Sequence, residues 1–417
     1  MTTSTARATR STLGTTAIMC AAELLTMTGF STYPALVPVL QGEWRIDSAS
    51  AGVVSGALFL GYMLAVPVLS ALTDRIPSAR VYVASCALLA AGSAGFALMA
   101  EGTVSGAICQ AVVGAGLAGT YMPGLRLLLD EATGSRQHTA IAVYTSTFAL
   151  GSSVSLLMAA STHARFGWRS AFLIAAVWPI VAAALIAWNF RGAGPRRSAE
   201  PLSFGAVFRD ASAVAYIAGY AAHCFELFAV RSWLAAFFVF AGSGSWSVAA
   251  AARSVAAINL LGPVASIAGN EIAVKARGTF VVGVMLASAV LSLGVGATAG
   301  ARPALIAIVA GAYFFAVAAD SAALTTGIVR TSGAPTGITL AVYSFFGFGA
   351  AFVGPTLFGV VLDLAGGAHQ PRAWLAAFAL LSFVSLIGAA SIARGLRGKE
   401  VTPVEAQTLP RESGAPE

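Results

Sequence analysis

The chain has 417 residues, of which 58% are hydrophobic and only 10% charged, with a mean hydropathy of +0.82. Soluble domains carry about 25% charged residues, so this composition leaves too few polar side chains to cover a water-facing surface and excludes a string of soluble domains. The net charge of +7 does not indicate a nucleic-acid partner, because the basic residues fall in short clusters between apolar runs, the pattern that orients helices in a lipid bilayer.

A membrane-spanning helix needs about 20 mainly apolar residues. Twelve such runs follow one another, at about 13–40, 50–70, 81–100, 103–128, 139–162, 170–190, 212–240, 246–268, 279–299, 303–328, 336–362 and 373–393. The first is longer than the ~7–15 residues of a signal-peptide core, so an uncleaved first span is expected. Connections are mostly short, which makes sequential helices antiparallel neighbours. With both termini in the cytoplasm, sixteen Lys and Arg residues fall inside and five, Arg45, Arg165, Arg169, Arg302 and Arg372, fall outside; that asymmetry favours both ends inside. The stretch 191–211 is basic and contains Pro and Gly. It reads as a cytoplasmic linker between a six-helix bundle over 1–190 and a second over 212–400, with a disordered cytoplasmic tail over 401–417. Cys20, Cys86, Cys109 and Cys224 lie inside apolar runs without zinc-ligand spacing and read as small packing residues. No metal or cofactor is expected.

The halves show faint repetition. Ala142-Val143-Tyr144 opens the fifth run and Ala341-Val342-Tyr343 the eleventh, 199 residues later. Pro67-Val68-Leu69-Ser70 ends the second and Pro263-Val264-Ala265-Ser266 the eighth, 196 residues later. Both matches join run n to run n+6. A six-helix unit repeated in one orientation resembles the major facilitator superfamily, and the resemblance covers the whole chain. The family's loop signature between spans 2 and 3, G-x-x-x-D-R-x-G-R-R, is matched at Asp74 and Arg75, with Ser70 and Pro77 at the glycine positions and Arg80 left of the basic pair. The resemblance implies a gating loop made of Asp74, Arg75 and Arg80. The fourth span has Gln110 where the proton-coupled pattern R-x-x-Q-G-x-G begins with arginine, and Gly151–Ser155 stands in place of the drug exporters' G-x-x-x-G-P. Gly119–Arg126 and Asp320-Ser321 are similar to bacterial permeases grouped with cyanate- and nitrate-type carriers. The fold expected is an all-α membrane protein of twelve transmembrane helices in two pseudo-symmetric six-helix bundles.

Charge in mid-bilayer costs roughly 2.5–3.5 kcal/mol on insertion scales and survives where it faces a bundle interior or a wet cavity. Here such residues are Glu23 on span 1, Arg126 on span 4, His223, Glu226 and Arg231 on span 7, and Asp320 on span 10, with Arg253 on span 8 as the exception. Spans 1, 4, 7 and 10 are the cavity-lining spans that the resemblance implies. At ~1.5 Å per residue, Glu23 lies ~15 Å and Glu226 ~21 Å into their helices, both near the middle of a ~30 Å core. His223 and Glu226 are neighbours on one helix face, and a broad polar face would hold Arg231 as well. The expectation is that Glu23 or Glu226 carries a coupling proton, with His223 tuning it and Asp320 a further candidate. The alternative is permanent ion pairing, Glu226 with Arg231 or Arg126 with Asp320. Arg126 and Arg231 suit a carboxylate or other anion. Tyr33, Tyr121, Phe30 and Trp233, with Phe225, are candidate pocket residues or helix-packing aromatics.

The sequence has no H-E-x-x-H, Walker loop or nucleophile elbow with a partner histidine, which argues against an enzyme. The reading is a secondary active transporter, proton-coupled and monomeric, in a bacterial cytoplasmic membrane, that moves a small polar or anionic organic solute. Proton-driven efflux of a drug or metabolite is the alternative.

Overall fold

The computed structural model describes residues 12–131, 137–190, 205–242, 246–276, 279–331 and 336–397. The tail over 401–417, most of the stretch 191–211, and the charges Arg7, Arg10, Arg136, Arg191, Arg196, Arg197, Arg277, Lys399 and Arg411 lie outside the described residues.

Among the described residues, twelve helices are long and apolar enough to cross a membrane. Spans 1 to 6 are Thr12–Trp44, Ser48–Leu72, Ser78–Met99, Thr103–Asp130, Thr139–Phe166 and Trp168–Asn189. Spans 7 to 12 are Ala211–Ala241, Val248–Ala276, Thr279–Ala297, Pro303–Arg330, Ile338–Leu364 and Pro371–Leu396. They coincide with the twelve apolar runs, because hydrocarbon leaves a chain few ways to satisfy its backbone other than helix. Helix starts carry acceptors for the otherwise free N–H groups. Asp47 caps span 2 through the Ser50 amide (2.8 Å), Asp210 caps span 7 through that of Ser212 (2.9 Å), and Ser247 caps span 8 through that of Ala250 (3.2 Å).

Three spans are interrupted. Span 1 consists of a helix Thr12–Thr26, a 3-10 turn Met27–Gly29 and a helix Thr32–Trp44. Span 8 breaks between Asn259 and Leu261, and span 10 at Asp320. Backbone groups freed by a break need partners within the protein. In span 1 the serines of span 5 supply them. Ser155 Oγ donates to the Thr28 carbonyl (2.7 Å) and accepts from the Ser31 amide (2.9 Å), while Ser152 Oγ meets Ser31 Oγ at 2.9 Å. The Gly151–Ser155 stretch thus serves as a polar strip against the broken helix.

The halves meet chiefly along two seams, span 2 on span 11 and span 5 on span 8, and span 1 also packs on span 7. Gly52 lies so close to the Pro355 carbonyl, and Gly359 to that of Ser48, that a Cβ at either glycine would collide with backbone. On the other seam Ser153 Oγ donates to the Ala256 carbonyl (3.0 Å) and Asn259 Nδ2 reaches Ser152 Oγ (3.5 Å). The two seams are copies. Gly56, which abuts Phe352, and Ala256 are 200 positions apart, and Ser153 and Phe352 are 199 apart, close to the offsets of the sequence repeats.

Closure is one-sided. At one end of the bundle the Asp363 carboxylate of span 11 accepts the amides of Ser48 (3.0 Å) and Ala49 (2.7 Å), capping the first turn of span 2 from the other half. Free N–H groups and the helix dipole both favour an anion there. From that Asp363 face the seam stays sealed down to Tyr62, whose ring meets Phe348 at 4.1 Å. Span 2 has no buried residue beyond Tyr62, and Leu64 and Val68 are 61% and 66% exposed. The halves therefore part toward the Asp74 face.

Replacing Asp363 by Ala leaves two amides without their acceptor. A charge-assisted hydrogen bond is worth about 1.5–3 kcal/mol, so the closed Asp363 face should lose roughly ten- to a hundredfold in population. Spin labels on cysteines introduced at that end of spans 2 and 11, in a cysteine-free background, should show a longer-distance population in Asp363→Ala. An unchanged distance distribution would mean that the apolar seam alone holds the face shut.

Candidate functional site

The buried charges of span 7 do not share one face. His223 Nδ1 lies 2.6 Å from Asp320 Oδ1, both side chains being almost fully buried. Asp320 is the residue at which span 10 breaks, so the kink brings its carboxylate to the histidine. Tyr220 stacks on His223 and lies 3.7 Å centroid to centroid from Tyr343 of span 11, whose hydroxyl meets Thr325 Oγ1 at 3.1 Å. Glu226, three residues on, turns instead to spans 9 and 12. Its Oε2 accepts from Ser288 (3.2 Å) and from Ser385, and its Oε1 has no partner.

Glu23 is completely buried in the first half. Tyr144 Oη of span 5 is 3.1 Å from Glu23 Oε2 and equally far from the Tyr121 carbonyl, so one hydroxyl has two acceptors. Tyr121 stacks on Tyr144 at 5.8 Å, and Glu23 Oε1 is unpartnered.

Arg126 and Arg231, alike in the sequence, have different surroundings. Arg126 Nη1 bonds Asp74 Oδ1 at 2.7 Å and also Thr73, which ties the loop between spans 2 and 3 to span 4. Arg75 and Arg80 of the same loop are exposed. The Arg231 guanidinium lies 5.4 Å from the ring centres of Phe314 on span 10 and Phe148 on span 5, and so reaches across to the other half. Its Nε and Nη1 have no hydrogen-bond partner. It borders a small enclosed pocket shared with Phe30, Ser55, Phe59, Gln110 and Ser232. Gln110 Oε1 and Ser55 Oγ are buried there, also without partners.

The ion pairs Arg126–Asp320 and Glu226–Arg231, considered from sequence, are thus not formed. Arg126 is drawn to Asp74, Asp320 to His223 and Glu226 to serines, while Arg231 lies against phenyl rings without a carboxylate. Among the candidate aromatics, Phe30 lines the pocket and Tyr121 belongs to the Glu23 cluster. Tyr33 is buried with its hydroxyl on the Ala51 carbonyl (3.2 Å), and Trp233 donates from Nε1 to the Pro355 carbonyl (2.9 Å). Both therefore join neighbouring helices. Ser55, Ser232, Ser288, Ser385, Asn259 and Asp363 escaped sequence reasoning. The first five carry no charge to stand out in an apolar run, and Asp363 sits at a helix end where any acid is unremarkable.

The model of the Major Facilitator Superfamily matches residues 19–389. No curated protein sequence matches this one. Among solved structures, the chain is similar to a bacterial homologue of the human lysosomal transporter Spinster in an inward-facing and occupied conformation. The TM-score is 0.71 at 17% identity, covering 92% of this chain and 96% of that one. It is also similar to the nucleoside transporter NupG (TM-score 0.72, 14% identity, 91% and 99% covered). A third is a bacterial homologue of the human drug peptide transporters (TM-score 0.71, 15% identity, 94% and 99% covered). At these identities the likeness is one of fold.

Removing one partner of the buried His223–Asp320 pair leaves the other uncompensated, at a cost of about 3–5 kcal/mol. Asp320→Asn should accordingly melt well below the parent. The apolar double variant His223→Phe, Asp320→Leu should recover a large part of the loss. Equal melting temperatures for the parent and Asp320→Asn would show that the pair contributes nothing to stability.

Proposed function

Because the chain belongs to the major facilitator superfamily and is therefore a transporter rather than an enzyme, we propose that it is a proton-coupled symporter. In this reading it takes up a small polar or anionic organic solute by alternating access. The observation that carries the reading is Arg231, a guanidinium with unpaired N–H groups in an enclosed pocket to which both halves contribute. A permanent cation without a carboxylate partner in a poorly solvating site is the arrangement that an arriving anion completes. The similarity of Gly119–Arg126 to cyanate- and nitrate-type carriers is consistent with a small anion.

The proton is assigned to Glu23 or Glu226. Each is buried in its own half, and the hydrogen bonds that reach each carboxyl come from neutral hydroxyl groups. His223 stands between Asp320 and Glu226 on span 7 and adjusts the field that both feel. Asp74, Arg75 and Arg80 form a gating loop on the cytoplasmic side, which Arg126 of span 4 holds through Asp74. The sequence-wide excess of Lys and Arg, sixteen against five, on the Asp74 side of the connections supports both termini in the cytoplasm, with the side on which the halves part facing inward. Twelve spans bring both halves of the pocket, which supports a monomer as the working unit.

In proteoliposomes with an imposed inward proton gradient, Glu23→Gln and Glu226→Gln are each made and compared with the parent. The variant that lacks the coupling carboxyl should lose concentrative uptake at least tenfold while still exchanging labelled for unlabelled solute. Undiminished gradient-driven uptake in both variants would remove the proton role.

A further inference from the structure

The pocket around Arg231 contains more unmet hydrogen-bonding capacity than the guanidinium alone. It is lined from the first half by Ser31 on the broken part of span 1, Ser55 on span 2 and Gln110 on span 4, and from the second half by Arg231 and Ser232 on span 7. Gln110 is 1% exposed and Ser55 5% exposed, yet Gln110 Oε1 and Ser55 Oγ have no partner. Buried polar groups are normally satisfied, and leaving one unmade costs about 1–3 kcal/mol. Three side chains on three spans, all unmet at one void, form a set rather than an accident of packing.

Their chemistry is complementary. Arg231 offers N–H donors and a positive charge. The Gln110 carboxamide oxygen accepts, and the Ser55 hydroxyl both donates and accepts. The void is small, so a ligand that satisfies all three carries a negative group for Arg231 and, close beside it, a donor for Gln110. No acidic residue lines the pocket. Glu226 faces Ser288 and Ser385, and Asp320 faces His223. An ammonium group would find no counter-charge there, so the donor is a hydroxyl rather than an amine. One guanidinium matches one carboxylate. Phe30 and Phe59 line the same void, which at about 10 Å³ has room for roughly one water, so a solute is admitted only as the halves move; Phe148 and Phe314 flank the guanidinium outside it.

We propose that this pocket is the headgroup subsite for a 2-hydroxy monocarboxylate. Arg231 binds its carboxylate, and Gln110 with Ser55 reads the neighbouring hydroxyl. The proposal rests on the transporter reading above and names the solute class of that site. It also gives Gln110 a role as a specificity residue at a position where the family's proton-coupled pattern has an arginine.

The test uses the full chain, purified and in proteoliposomes, with defined probes: a 2-hydroxy monocarboxylate, its unsubstituted counterpart, the 2-amino acid of the same skeleton, inorganic nitrate and phosphate, and a neutral nucleoside. The hydroxy acid should raise the melting temperature saturably and support counterflow, with the unsubstituted acid about tenfold weaker and the amino acid weaker still. Gln110→Leu should bring the hydroxy and unsubstituted acids to within about twofold of each other by weakening only the former, a change in preference that a general loss of folding would not produce. Gln110→Glu gives Arg231 an internal carboxylate. It should abolish stabilisation by every carboxylate probe while leaving the apoprotein at least as stable as the parent. Absence of any shift by carboxylates, or no change of preference in Gln110→Leu, overturns the proposal. If nitrate, phosphate or the nucleoside alone is exchanged, the solute class falls while the transporter reading stands.

Discussion

Hydrocarbon does not solvate charge or loose backbone, and that constraint governs where most of the buried polar groups among the described residues lie. Each N–H and C=O group within a span needs a partner in the protein, and so does each ionised side chain. The helices follow from the first requirement. The internal clusters follow from the second: Glu23 under Tyr144, His223 against Asp320, and Glu226 between Ser288 and Ser385. Even the interruptions obey it. Span 1 is free to break at Met27–Gly29 because Ser155 sits beside the break and takes up backbone groups it releases, with Ser152 on the Ser31 hydroxyl.

The same constraint decides what was legible before the structure. The twelve spans could be read because twenty apolar residues in lipid have few alternatives to helix. The buried charges could be listed because so few residues in the apolar runs are ionisable. Their partners could not be read. The direction of a side chain depends on helix rotation, and a turn of a few tens of degrees separates a cavity from a neighbouring helix. Glu226 illustrates this: its spacing from His223 suggests a shared polar face, yet it points to spans 9 and 12. Arg126 and Asp320 were a candidate ion pair, but they lie in different halves and each has a nearer partner. The serines of span 5 were visible only as a departure from a known motif. Their use, bracing a broken helix, depends on a neighbour remote in sequence.

The internal repeat reaches further than the two short matches that reveal it. A shift of 199 or 200 positions carries Tyr144 onto Tyr343, Tyr121 onto Asp320, Glu23 onto His223 and Arg126 onto Thr325. The two clusters therefore occupy equivalent places on spans 1, 4 and 5 and on spans 7, 10 and 11, with different chemistry. One half holds a lone acid under two tyrosines. The other holds an imidazole and a carboxylate in contact beside a stacked tyrosine pair. The scaffold was kept and its titratable groups were redistributed, which is why a search for repeated charged residues finds nothing while a search for repeated small and aromatic ones succeeds.

A final consequence concerns motion between the halves. Breaking a buried ion pair in a low-dielectric interior costs several kcal/mol, so a seam built of such pairs would resist opening. Among the described residues, these charged contacts each stay within one half: Arg126 with Asp74, His223 with Asp320, and Glu23 and Glu226 with hydroxyls of their own bundle. They travel as rigid cargo when the halves rock. Between the halves lie contacts that separate at modest cost: glycine against carbonyl, Tyr62 on Phe348, a serine on a backbone oxygen, and one carboxylate at the rim, where water can replace the amides it releases. Arg231 departs from the pattern. It leans across the seam onto Phe148 without an anionic partner, so it is the one buried charge whose surroundings change when the halves move. A ligand that neutralises it acts directly on the balance between open and closed forms, which makes binding and movement parts of one equilibrium.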